Sequence, residues 1–225
     1  VSKRSHNNRF LMSVGIRFDG NNFNDNTKNL LKQTAPRLSV SYKLTENTTI
    51  NAGLGRYFQQ AAYTTKGYKD QTNVLINANS VKYIGLNQYN LGFEKKYNKK
   101  ALWSVEGFYK AYFQYPVDVI NGVSLANQGA SYDVSGASNV NFNGKGKAYG
   151  FEILNRLNLK TFNWLASYTY VRSFFTDINN HFVPSSWDSK HLLTFTGSKT
   201  LKKNWTAGFK WRFVGGLPYT PYDLE

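Results

Sequence analysis

The sequence predicts an all-β fold, a transmembrane antiparallel up-and-down β-barrel, of which these 225 residues supply about nine strands with long extracellular loops and short periplasmic turns. Three observations predict it. In residues 204–216 (NWTAGFKWRFVGG), Trp205, Ala207, Phe209, Trp211 and Phe213 alternate with Asn204, Thr206, Gly208, Lys210 and Arg212. Period two marks a strand with one apolar and one polar face, and an aromatic face backed by cations suits a strand with lipid outside and water inside. Second, the connections between such strands alternate in length, four of two to four residues with four of 14 to 29. Outer-membrane barrels are built so, with turns at the periplasmic end and loops outside, whereas long structureless loops are uncommon in compact soluble domains. Third, 16 Tyr, 18 Gly and no Cys, at a mean hydropathy of −0.50, match strands that are polar on alternate residues. No apolar run is long enough for a transmembrane helix.

The elements follow in order. Residues 9–18 place Phe10, Met12, Val14, Ile16 and Phe18 on one face and Leu11, Ser13, Gly15 and Arg17 on the other; residues 19–36 read as loop. Residues 37–44 and 48–57 alternate around a tight turn, and 58–85 form a second long connection. Residues 86–96 and 101–115 pair about a short turn, with Tyr89, Leu91, Phe93, Trp103, Val105 and Tyr109 outward. Loop 116–144 leads to strands 145–159 and 162–175, then loop 176–189, strand 190–200, a turn and the strand at 204. Nine strands is an odd number, while bacterial single-chain barrels have an even one. Residues 9–18 and 204–214 are therefore expected to be open edges of a partial outer-membrane barrel domain covering 1–225, with the remaining strands outside this sequence.

The net charge of +15 with a pI near 9.8 raises the question of nucleic acid. The cations recur at turns and alternate strand positions instead of forming one patch, so they read as solvated turns, interface snorkels and lumen lining, with no nucleic-acid partner. Residues 1–10 (VSKRSHNNRF) hold no apolar signal core, and the chain is expected to begin within a longer protein.

No catalytic, metal or cofactor constellation emerges. His6, His181 and His191 lack partners at metal-ligand spacing, and Gly144, Gly146 and Gly150 lack the strand-to-helix context of a phosphate loop. DGNNFNDN at 19–26 reads as an Asx-rich turn, with calcium as the alternative; Ser, His and Asp within 187–191 have nothing to orient them for catalysis. Inward parity selects Arg17, Arg37, Lys43, Glu94, Glu106, Lys110, Glu152, Arg156, Lys210 and Arg212, seven cations to three carboxylates, as lumen-facing or plug-facing residues. Such a set solvates the lumen, pairs with a plug or favours an anionic solute. From the long loops Tyr63, Tyr68, Tyr83, Tyr132, Phe142 and Trp187 are candidates for stacking on a substrate, or for packing the loops on one another.

Residues 50–63 (INAGLGRYFQQAAY), 87–117 (NQYNLGFEKKYNKKALWSVEGFYKAYFQYPV), 149–173 (YGFEILNRLNLKTFNWLASYTYVRS) and 187–223 (WDSKHLLTFTGSKTLKKNWTAGFKWRFVGGLPYTPYD) together resemble, in order and spacing, the C-terminal half of the barrel of TonB-dependent receptors, nearest those of the Bacteroidota. The resemblance implies a large barrel with a plugged lumen in the outer membrane of a Gram-negative bacterium. It implies energised uptake of a bulky, scarce nutrient such as a siderophore, glycan or peptide, and no enzyme activity. The implied partners are outer-membrane lipid, a periplasmic energy-coupling protein acting through a plug domain outside this sequence, and a surface lipoprotein. A passive porin-like channel and a surface glycan-binding β-protein are the alternatives.

Overall fold

The structure, a computed structural model, describes residues 2–4, 9–97, 100–128 and 136–218. Its strands are β1 (Ser2–Arg4), β2 (Phe10–Phe18), β3 (Thr34–Thr45), β4 (Thr48–Gln59), β5 (Ile84–Tyr97), β6 (Ala101–Asp118), β7 (Val140–Asn158), β8 (Phe162–Thr176), β9 (Phe182–Pro184), β10 (Lys190–Thr200) and β11 (Thr206–Val214). All belong to one sheet, every described pairing is antiparallel, and spatial order follows chain order except that the short β9 is appended to β8, leaving β10 beside β8. This is the expected meander. Because neighbours in sequence are neighbours in space, all short turns lie at one end and all long connections at the other.

Register carries the two faces across the whole sheet. Phe10 lies opposite Tyr42, Tyr42 opposite Ile50, Ile50 opposite Phe93, Phe93 opposite Val105, Val105 opposite Ile153, Ile153 opposite Tyr168, Tyr168 opposite Leu193 and Leu193 opposite Phe213, an unbroken apolar row. Among the described residues nothing covers that face. Trp205, Phe209 and Trp211 are 71%, 59% and 54% exposed, and Val14, Ile16, Leu54, Leu91 and Trp103 are exposed as well. An apolar surface of this extent marks contact with something other than water. No described helix is long and apolar enough to cross a membrane.

The buried core lies elsewhere, in the layer formed by the long connections: Ala61, Val81, Val140 and Phe142 pack together with Leu125 against them. Asparagines tie these connections to one another. Asn24 caps the short helix α1 (Asp25–Lys28) and donates to the carbonyls of Ala78 (2.8 Å) and Val81 (3.0 Å) in the next connection. The fully buried Asn77 donates to the carbonyls of Thr65 and Ser138 (both 2.8 Å) and accepts from the Val140 amide (3.0 Å). Ser186 donates to Asn127 (2.9 Å) and the Ile178 amide to Gly122 (2.9 Å), so all four long connections are joined.

Three expectations are corrected. Residues 9–18 are not an edge, because Ser2, Lys3 and Arg4 pair with Ser13, Met12 and Leu11. Three polar residues show no alternation to read, and main-chain bonding does not need it. Strand β3 begins at Thr34 although residues 19–36 are expected to be loop ending in Pro36: β4 pairs with β3 only as far as Arg37, so the missing proline donor faces no partner there. Strands β6 and β7 reach Asp118 and Val140, well into the expected loop 116–144, for the reason given below. Among the described residues β11 pairs only with β10, and no ladder joins it to β1 or β2.

Candidate functional site

The ten charged residues selected by parity occupy one face of the sheet. Lys43 lies opposite Thr49, Thr49 opposite Glu94, Glu94 opposite Ser104, and the row continues through Leu154, Ser167 and Thr194 to Arg212. A parallel row runs through Arg37, Gly55, Gln88, Lys110, Ala148 and Ser173. Arg17 (opposite Ala35), Arg156 (opposite Leu102) and Lys210 (opposite Thr196) share the face. Arg17 Nε donates to Asp19 (2.8 Å), Lys96 bridges to Glu94 (2.9 Å), and Arg37 stacks 4.4 Å above the Tyr57 ring, which itself lies back over Gly55.

Glu106 and Glu152 are direct cross-strand partners, and among the described residues neither makes a salt bridge. Like charges placed opposite one another weaken a sheet by tenths of a kcal/mol or more, so this pair is suited to receiving a cation. Glu152 also lines a groove of about 330 Å³ with Lys210 and Arg212, which puts both signs around one space.

Towards the loop end the polar face turns aromatic. Phe108, Lys110, Tyr112, Tyr115, Phe175 and Trp187 line a cavity of about 420 Å³ with Gln59, Ile84, Ala126, Ala148, Val171 and Ser173. The Phe175 ring centre lies 4.4 Å from that of Tyr115 and 5.2 Å from that of Tyr112. The two tyrosines meet because of a bulge. Register between β6 and β7 shifts between Tyr112 and Tyr115, and Gln114 takes a positive φ of 54°. The extra residue reverses parity. Tyr115, outward by simple alternation, is thereby carried to the side of Tyr112, and beyond the bulge the strand accepts Pro116 and runs on to Asp118. Gly144 leaves the space this requires, since a Cβ there would press on the Tyr115 carbonyl and the Val117 side chain.

Of the five loop aromatics among the described residues, only Trp187 lines this cavity. Tyr63 is exposed at the start of the short helix α2 (Tyr63–Lys66), with the Lys66 ammonium 4.3 Å above its ring, and Tyr68 is half-buried. Tyr83 is buried and its hydroxyl accepts from Asn21 (3.2 Å) and Gln60 (3.3 Å); Phe142 belongs to the loop core. Those two rings hold the loop layer together and offer no open face. Tyr132 lies outside the described residues, as does His6. Phe108, Tyr112, Tyr115 and Phe175 were missed by a reading that took only charges from the inward set. Aromatics at inward parity near a loop end were the available signal for three of them.

The other motifs resolve into structure. Asp19 is held by Arg17 and Asn24 is a helix cap, while Asp188 accepts from Arg172 Nε (3.0 Å) and the Ser173 amide (2.8 Å). His191 meets the Tyr168 hydroxyl at 2.9 Å. Among the described residues no three His, Cys, Asp or Glu side chains converge as metal ligands.

A family model described as TonB dependent receptor-like, beta-barrel, matches residues 5–224. Solved structures of the same fold include the ferric-catecholate import receptor Fiu from Escherichia coli K12, with TM-score 0.63 and 14% identity over 93% of this chain and 32% of that one. The pyoverdine outer membrane receptor FpvA from Pseudomonas aeruginosa PAO1, solved bound to pyoverdine, gives 0.62 and 16% over 93% and 29%. The alcaligin outer membrane receptor FauA from Bordetella pertussis gives 0.58 and 16% over 92% and 35%. The chain thus spans about a third of the length of these structures. A comparison with curated protein sequences finds no match.

Proposed function

The chain belongs to the TonB-dependent receptor-like β-barrel family, and from that membership we propose that it forms the solute-capturing wall and mouth of an energised outer-membrane importer. Outer-membrane placement explains the uncovered apolar face, which is solvated by lipid, while the polar face borders the lumen. In the proposed mechanism a bulky solute is caught first beneath the loop layer, where Tyr112, Tyr115, Phe175 and Trp187 surround the cavity. It then passes along the charged rows of the lumen wall, past a plug released by a periplasmic coupling protein; a surface lipoprotein at the mouth is part of the same proposal.

The observation that carries this reading is the composition of the cavity: rings, one ammonium at Lys110, and no carboxylate among its described lining residues. Flat rings gain from stacking and a lone cation favours an anion. The solute class that fits is a bulky chelate with flat faces and negative charge, of the siderophore type. The test uses the full-length receptor. Trp187 fluorescence should change on adding ferric chelates but not neutral oligosaccharides, and Tyr112→Ala or Lys110→Gln should weaken the response about tenfold. Uptake into cells should stop when an uncoupler collapses the proton gradient; uptake that persists would favour a passive channel. A response to oligosaccharides alone would favour glycan capture.

A further inference from the structure

The lumen face changes character from strand to strand. On β6 and β7, nearer the short turns than Lys110, the opposed carboxylates Glu106 and Glu152 stand without salt-bridge partners among the described residues. Followed across β5, β4, β3 and β2, the same row holds Gly92, Asn51, Ser41 and Leu11. The next inward row towards the loops holds Asn90, Gly53, Ser39 and Ser13. No residue of either row on these four strands is charged. They leave a trough of about 730 Å³ headed by Arg37, which shares a cross-strand row with Lys110 three strand spacings away.

We propose that this trough, and not the β6–β7 side, is the path by which the solute descends the lumen, with Arg37 as its first hold below the loops. The proposal rests on the reading above, in which an anionic chelate is caught beside Lys110. From there two directions are open along the wall. Towards the turns on β6 and β7 an anion meets two carboxylates of its own sign, and like charge steers it away. Along the Lys110 row it meets Gln88, Gly55 and then Arg37, on the order of 14 Å distant at ordinary strand spacing. The Arg37 guanidinium is held flat on the Tyr57 ring, makes no salt bridge among the described residues, and has a buried Nε without a hydrogen-bond partner. A guanidinium so placed has donors to spare for an anionic oxygen. Gly15, opposite Arg37, keeps the head of the trough open, since a Cβ there would meet nothing within 4 Å. Below it, Ser39, Ser41, Asn51 and Asn90 offer neutral donors and acceptors that release a solute as readily as they take it up.

The experiment labels the full-length receptor in living cells with a small, impermeant anionic methanethiosulfonate. Ser39→Cys, within the trough, should react about fivefold or more faster in energised cells than after an uncoupler. Thr196→Cys is the comparison: it lies on the same face opposite Lys210, where charge also favours the reagent, and it should stay slow in both conditions. Adding Arg37→Gln to Ser39→Cys should slow the anionic reagent about threefold or more and leave a neutral reagent of the same size unaffected. Gly15→Phe should cut uptake of ferric chelates while the Trp187 response to them is kept. Fast labelling of Ser39→Cys that ignores the uncoupler would support the path and count against energised import; fast labelling without any Trp187 response to chelates would support it and count against the solute class. Ser39→Cys unlabelled in energised cells, Thr196→Cys labelled equally fast, or chelate uptake undiminished in Gly15→Phe would overturn the proposal.

Discussion

Single side chains decide how firmly the mouth is built. Asn77 satisfies the buried Thr65 carbonyl, the partly buried Ser138 carbonyl and the buried amide of Val140 at the start of β7. Replacing it with Ala should leave those groups unpaired at about 1–3 kcal/mol each. Amide exchange at Val140 should then quicken while exchange in the strands stays unchanged. Asp70 makes a smaller lock: its carboxylate accepts from the Thr72 hydroxyl (2.7 Å), the Thr72 amide (2.9 Å) and the Val74 amide (3.0 Å). Bonds from the Val74 amide and the Thr72 side chain hold its pKa below the ordinary carboxylate value. A group depressed in the folded state stabilises above its unfolded pKa, and that contribution is lost as pH falls through the folded value. Protection of the Thr72 and Val74 amides should therefore be constant at neutral pH and fade below about pH 4. Asp70→Ala should remove it at every pH.

Strands carry the reversal of inside and outside. Phe209 lies midway along the outward face of β11, and Phe209→Arg should cost about 2–4 kcal/mol in the lipid-embedded receptor, whereas Lys210→Gln should be mild. Unfolding titrations in lipid vesicles would measure both. The meander puts every short turn at one end, so in whole cells an impermeant thiol reagent should label Thr72→Cys and spare Lys160→Cys. Much at this scale is legible in the sequence: the order of the nine long strands, their faces and the single-ended loops all follow from period two and connection length. What was not legible has physical causes. Ser2–Arg4 pairs through its main chain alone, Pro36 is tolerated because no strand faces its missing donor, and the Gln114 bulge flips Tyr115 to the lumen side in a way alternation cannot show. The loop aromatics divided for a similar reason, since nothing local distinguishes the buried Tyr83 from the open Trp187.

For the whole molecule, the described sheet ends in two unpaired rows of main-chain groups, which hydrocarbon cannot solvate. Produced alone, these 225 residues should fail to give the heat-modifiable band of a closed barrel on cold SDS gels, while the full-length receptor should give it. The layer above the membrane is of a different kind: its connections share hydrogen bonds through Asn24, Asn77 and Ser186, and they have a common buried core. What an antibody meets on the cell is consequently a mosaic. Its epitopes draw on several stretches of sequence at once, vanish on denaturation, and are not reproduced by immunising with any one loop as a peptide.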